Sequence, residues 1–364
     1  MTFDEVFNIP PFGLNRAEKQ ALLVEHLNRL NAHHTESCGQ YRNIIRAMGC
    51  LGVESNSIEG LPFLPIRLFK EFDLKSVVDS DVIKTLTSSG TTSARVSRIF
   101  LDRETSRYQT KALAVIVQDF VGRKRLPMLI IDSKNVIKDR RMFSARGAGI
   151  LGMSNFGRDH LYVLDEDMSL NRDALTAFMK QHRDEDVLLF GFTFMVWQHF
   201  YRELEKNTKR IDLSRGILIH SGGWKKLAEY AVDNNTFRQS LEEVCGLKRV
   251  HNFYGMVEQI GSVFMECEHG HFHTPIYADI IVRSPEDWSP AAAGREGVIE
   301  LVSILPHSYP GHALLTEDMG TILGEDDCPC CRKGKYFRVS GRIPKAEIRG
   351  CSDTYQHQEV EYAV

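Results

Sequence analysis

Ile217-Leu218-Ile219-His220-Ser221-Gly222-Gly223 is an apolar run that stops abruptly at a hydroxyl and two glycines. A short run of branched aliphatic residues ending in a glycine pair predicts a buried strand that runs straight into a turn. Two more runs of this kind lie upstream. Asp186-Val187-Leu188-Leu189-Phe190-Gly191-Phe192 is followed by a helical pattern over residues 194–206, and Pro127-Met128-Leu129-Ile130-Ile131-Asp132 follows an amphipathic pattern over residues 106–120. Strands alternating with helices predict an α/β fold with largely parallel pairing, and binding sites in such sheets lie at the carboxyl ends of the strands. Gly222 and Gly223 fall at one of those ends.

A second polar punctuation is Ser88-Ser89-Gly90-Thr91-Thr92-Ser93. Residues 82–87 before it, Val82-Ile83-Lys84-Thr85-Leu86-Thr87, read as a half-buried strand opening into a turn. Gly90 would let backbone N–H groups approach a polyphosphate, and the hydroxyls add further donors. The spacing is not that of a Walker A loop. On its residues alone the run is either a phosphate-binding turn or a solvated Ser/Thr linker.

With 364 residues and 43% hydrophobic content the chain can bury a large core and is long enough for two subdomains. Its net charge of −3 gives no reason to expect a nucleic-acid partner. There is no apolar stretch long enough to span a membrane, and Met1-Thr2-Phe3-Asp4-Glu5 does not begin a signal peptide. A cytoplasmic protein is expected, with its eight cysteines serving as thiols, metal ligands or catalytic groups. Residues 14–50 read as helix, with Leu22, Leu23, Leu27 and Leu30 on one buried face.

Cys267-x5-His273 and Cys328-x-Cys330 together supply three sulfurs and one imidazole, the ligand set of a closed structural Zn²⁺ site. Cys331, His269 and His271 stand close enough to compete as ligands. Unligated thiols in a loop are the other reading of the same residues.

Four further elements occur in the order used by the adenylate-forming enzymes. Ser221-Gly222-Gly223-Trp224 resembles their adenine-binding segment. Asn252-Phe253-Tyr254-Gly255-Met256-Val257-Glu258-Gln259 resembles Tyr-Gly-x-Thr-Glu, with Val257 at the usual threonine. The resemblance implies that Tyr254 and Gly255 lie near the adenine and that Glu258 reaches Mg²⁺. Leu315-Thr316-Glu317-Asp318-Met319-Gly320 is similar to Thr-Gly-Asp-x-Gly, which makes Asp318 the ribose ligand. Gly341-Arg342, followed by Ile348-Arg349-Gly350, resembles the hinge, where Arg342 would touch ribose or phosphate. ATP would then sit among Ser88, Ser89, Gly90, Thr91, Thr92, Ser93, Gly222, Gly223, Tyr254, Gly255, Glu258, Asp318 and Arg342.

Only 14 residues follow Gly350, beginning with Cys351, whereas adenylate-forming ligases ordinarily continue into a small mobile domain. Together with Leu61-Pro62-Phe63-Leu64-Pro65 and Cys328-Pro329-Cys330, the segment Glu347-Ile348-Arg349-Gly350-Cys351 resembles the LuxE-type acyl-protein synthetases. That resemblance implies an α/β fold, the large N-terminal domain of an adenylate-forming enzyme with mixed and parallel sheets and flanking helices, lacking most of the small domain. It divides the chain into a helical segment 1–60, an adenylation core 61–341 and a tail 342–364 carrying Cys351; the core includes the cysteine–histidine subregion 265–335, which binds zinc on the first of the two readings of those residues. It implies ATP-dependent activation of a long-chain fatty acid, with Glu258, Arg342 and Cys351 catalytic. Cys351 would carry the acyl group as a thioester to an acyl-CoA-reductase-type subunit that makes fatty aldehyde for bioluminescence. A phenylacetate-type acyl- or aryl-CoA ligase is the alternative. Phe190, Phe192, Phe194 and Trp197 are either walls of an acyl tunnel or ordinary core.

Overall fold

Strands that are apolar on both faces need cover on both faces. In the computed structural model Val187–Phe192 is buried at every residue, in the interior of a parallel sheet. The structure describes residues 3–88, 96–137, 145–207, 209–224 and 231–343. In chain order, β1 (Leu64–Pro65) precedes a hairpin of β2 (Lys84–Thr87) and β3 (Arg98–Leu101). The parallel sheet comprises β4 (Leu126–Ser133), β5 (Gly157–Leu164), β6 (Val187–Phe192), β7 (Gly216–Ser221) and β8 (Arg249–Tyr254). Its order is β5-β4-β6-β7-β8, and the short β9 (Phe264–Met265) adds to β8 antiparallel. A second sheet follows from β10 (Phe272–His273), β11 (Ala278–Arg283), β12 (Glu296–Ser303), β13 (Ala313–Glu325) and β14 (Lys335–Arg342). It is antiparallel, in the order β10-β14-β13-β12-β11, with β1 added parallel to β13.

Helices of the parallel part begin where a side chain can cap them. Asp102 accepts the Thr105 N–H at 2.8 Å to start Arg103–Val121, and Asp233 accepts that of Thr236 at 2.9 Å to start Asn234–Cys245. One apolar cluster runs through both sheets, joining Leu129, Phe190 and Leu218 to Tyr277, Ile281 and Val302. At Gly191 a side chain would have no room, because a Cβ there would lie 2.9 Å from both Ile131 Cβ and Val196 Cγ2. No helix among the described residues is long and apolar enough to cross a membrane.

Three local expectations are corrected. The helix expected over 14–50 is two, Arg16–Ser37 and Gly39–Ala47, because Cys38 is extended and its sulfur accepts the Tyr41 N–H at 3.5 Å. Leu22, Leu23, Leu27 and Leu30 are nevertheless buried in the main cluster. The strand expected half-buried at 82–87 pairs only with β3, and Ile83 is 56% exposed. The helical pattern at 194–206 occupies 193–205 and widens to a π-helix over Val196–Tyr201. The wider turn accompanies stacking of Trp197 on Tyr201 at 4.3 Å.

Inside the antiparallel sheet Arg283 pairs with Glu300, both nearly inaccessible. Arg283 also donates to the carbonyls of Trp288 and Glu59, each at 2.9 Å, and lies 4.4 Å from the Phe63 ring. Burial pushes the Glu300 carboxyl up to about 7 although Arg283 pulls the other way. Arg283→Ala would strand a buried acid and should lower stability by about 3–5 kcal/mol. Urea unfolding checks it, and a loss below ~1 kcal/mol would mean the acid finds another partner or water.

Candidate active site

The carboxyl ends of β7 and β8 are tied together, since Ser221 is registered against Phe253 and its Oγ donates to the Phe253 carbonyl at 3.2 Å. The chain then turns through Gly222 at φ +87, a conformation that favours glycine, with Phe192 Cδ1 only 3.3 Å from where a Cβ would be. Gly223 has no such neighbour. Tyr254 ends β8 and reaches across to the second sheet, where its hydroxyl donates to Asp318 Oδ2 at 2.7 Å. Burial first, and the Asp318 charge second, hold that phenol well above its ordinary range.

Asp318 lies on β13 directly opposite Arg342 on β14, and Arg342 Nε is 3.4 Å from Asp318 Oδ1. The Asp318 N–H donates to Thr316 Oγ1 at 3.1 Å, and that hydroxyl in turn donates to the Ile299 carbonyl at 2.7 Å. Both carboxylate oxygens are thus positioned by donors yet keep lone pairs to accept more. Such a group can receive a vicinal pair of hydroxyls. Gly255 follows Tyr254 with no close contact that demands a glycine.

Glu258 sits in the short turn Val257–Gln259 and is only 3% exposed. Gln259 pins that turn to the second sheet by donating to the carbonyls of Leu301 at 3.1 Å and Gly311 at 2.9 Å. Burial raises the Glu258 carboxyl, while the Ser97 hydroxyl and the Arg342 charge partly hold it down. A buried acid with so little compensation suits a cation. Ser97 also clasps Ser88: Ser88 N–H donates to the Ser97 carbonyl at 3.1 Å, and Ser97 N–H donates to Ser88 Oγ at 2.9 Å. The base of the Ser/Thr loop is therefore near enough to Glu258 for the Ser97 hydroxyl to favour its charged form. Ser89, Gly90, Thr91, Thr92, Ser93 and Cys351 lie outside the described residues.

Sequence reasoning missed Ser97 altogether, for a lone serine past the loop has no pattern of its own and only the β2–β3 pairing brings it to Glu258. It also passed over Asp132, which ends a buried run and carried that single signal. Asp132 is 1% exposed, Arg146 Nε lies 3.1 Å from it, and burial pushes its carboxyl up to about 6 against the pull of that arginine. Phe190, Phe192, Phe194 and Trp197 are all buried in the main cluster, with Trp197 stacked between Tyr201 and Phe237.

A second constellation lies at the joint of the sheets. One ligand atom each from Cys267, His273, Cys328 and Cys330 lies within 4.8 Å of the others. Cys330 Sγ is 3.2 Å from His273 Nε2 and Cys267 Sγ is 4.0 Å from Cys328 Sγ. His269 offers Cys267 only its backbone N–H, at 3.4 Å, and Cys331 is exposed. His271 comes to 3.4 Å from Cys328 Sγ, and its ring and that of His273 both stack on Tyr336, at 4.9 and 5.8 Å.

A family profile described as acyl-protein synthetase, LuxE, matches residues 2–359. The chain belongs to that family. It is an acyl-protein ligase by that membership. Similar proteins include the long-chain-fatty-acid–luciferin-component ligase of Aliivibrio fischeri, 22% identical over 303 residues, covering 82% of this chain and 78% of that protein. The ligase of the same name from Vibrio harveyi is 22% identical over 363 residues, covering 96% and 91%. Among solved structures, an open conformation of 2-hydroxyisobutyryl-CoA ligase in complex with 2-HIB-AMP and CoA superposes with a TM-score of 0.69 at 16% identity. That match covers 91% of this chain and 76% of the other. The postadenylation state of the same ligase gives 0.68 at 16% identity, over 91% and 69%. The LuxE-family chain thus has the expected α/β fold with mixed parallel and antiparallel sheets.

Proposed function

We propose that this acyl-protein synthetase activates a long-chain fatty acid with ATP and then carries the acyl group on Cys351. The observation that supports the reading best is the meeting of Tyr254, Asp318 and Arg342 with Glu258 and the base of the 88–97 loop, contributed by both sheets. Asp318 accepts from the ribose hydroxyls, Gly222, Gly223, Tyr254 and Gly255 border the adenine, and Ser88 to Ser93 surround the phosphates. Mg²⁺, which neutralises phosphate charge when bound, would be held in part by Glu258. A fatty-acid carboxylate oxygen bonds to the α-phosphorus as the bond to pyrophosphate breaks, leaving an acyl-adenylate. Arg342 stabilises charge on that phosphate. The Cys351 thiolate then bonds to the acyl carbon, AMP leaves with the electron pair on its phosphate oxygen, and the thioester is the product.

In this reading residues 61–341 form the adenylation core, 1–60 its helical flank and 342–364 a tail that delivers the thioester. The receiver in this proposal is an acyl-CoA-reductase-type subunit making fatty aldehyde in the cytoplasm; the relatives' luciferin-component names support only a luminescent pathway and a long-chain fatty acid as substrate. Incubating the full chain with ATP and fatty acids of several lengths, then weighing it intact, is the test. The mass should rise by that of the fatty acid less one water and return after hydroxylamine. An unchanged mass, with AMP formation accelerated by CoA, would favour the CoA ligase instead.

A further inference from the structure

We propose that Cys267, His273, Cys328 and Cys330 hold one zinc ion that fastens the parallel sheet to the antiparallel sheet. Cys267 lies two residues beyond β9, the last strand of the parallel sheet, whereas His273 belongs to β10 of the antiparallel one. Cys328 and Cys330 come from the turn between β13 and β14. Three elements from two sheets converge on one point, and their ligand atoms lie within 4.8 Å.

Three thiolates and an imidazole fill a tetrahedral zinc shell and leave no position for water, so the ion is structural. The single-residue spacing of Cys328-x-Cys330 is accommodated by a tight turn. The Cys331 N–H donates to the Cys328 carbonyl at 2.9 Å, and Cys331 itself takes φ 64, which turns its own side chain out to solvent. A disulfide is a poor alternative, because the sulfurs of Cys267 and Cys328 are 4.0 Å apart where a bond needs about 2.05 Å.

The residues around the quartet fasten the same turn outward. Arg332 pairs with Asp119 at 2.9 Å and with Glu268 at 3.2 Å, and its guanidinium lies 4.1 Å from the Phe120 ring. The Lys333 N–H donates to the Phe12 carbonyl at 3.1 Å. Since β13 and β14 carry Asp318 and Arg342, and β8, paired with β9, carries Tyr254, the ion would keep the two halves of the ribose site in register from the joint.

Metal analysis of the full chain, purified without chelator, should find about one zinc per chain. Cys328→Ser should bring zinc below a tenth of that and lower the melting temperature by ~5 °C or more, with Cys331→Ser matching the parent in both. If Cys328→Ser does not fold, the parent is titrated with a mercurial while a zinc-sensitive dye and circular dichroism are read together. Zinc release in step with loss of the thermal transition supports the tie. Zinc well below one per chain after growth in zinc-supplemented medium, or release that leaves melting unchanged, overturns it.

Discussion

Cys351→Ser retains fatty-acid-dependent exchange of pyrophosphate into ATP and loses the hydroxylamine-labile acyl group. The expectation follows from dividing the proposed reaction between two sets of residues. Tyr254, Glu258, Asp318 and Arg342 are brought together by β8, β13, β14 and the Val257–Gln259 turn, none of which extends past Arg342, the first residue of the tail, towards Cys351. Adenylate formation and its reversal therefore need no thiol. Acyl capture does, because a serine hydroxyl has a far higher pKa than a thiol, so almost no nucleophilic anion is present near neutral pH. Radiolabelled fatty acid, ATP and denaturing gels read the second half, and exchange reads the first. A hydroxylamine-labile label persisting on Cys351→Ser would move the carrier to another of the eight cysteines. Loss of both activities would mean that the tail takes part in adenylation.

The alternating apolar runs made the parallel sheet legible, because a strand buried on both faces cannot be written with polar residues at alternate positions. Its punctuation was legible too, in the glycine pair that opens with Gly222 at positive φ. The break at Cys38 was passed over although Ser37 and Gly39, both weak helix formers, flank it, and beyond it Tyr41 and Ile45 pack in a separate cluster. Alternation at 82–87 misled for a different reason: period two reports a strand but not what covers it, and β2 has little over it although β3 beside it buries Ile99 and Leu101. At the candidate site, residue types and motif order pointed to Asp318, Tyr254, Glu258 and Arg342. Their mutual contacts are products of sheet register, which is why Ser97 and the Asp132–Arg146 pair escaped notice.

Asp318→Ala should cut ATP–pyrophosphate exchange by more than tenfold with little change in melting. The carboxylate is held by the Tyr254 hydroxyl at 2.7 Å and Arg342 at 3.4 Å, and the Asp318 backbone N–H is fixed on Thr316 Oγ1. A hydrogen bond to a charged group contributes ~1.5–3 kcal/mol, and 1.36 kcal/mol is tenfold in rate, so losing the ribose acceptor alone passes that mark. Tyr254→Phe removes a positioning donor and leaves the acceptor, so it should cost less, about two- to fivefold. Asp318→Asn should fall between them, because one amide oxygen still accepts while the charge opposite Arg342 is gone. The order Ala, Asn, Phe in decreasing damage separates ribose binding from a packing defect, which would follow melting temperature instead. Exchange by Asp318→Ala within twofold of the parent would remove Asp318 from the nucleotide site and leave the Tyr254–Asp318–Arg342 contact as a link between the sheets.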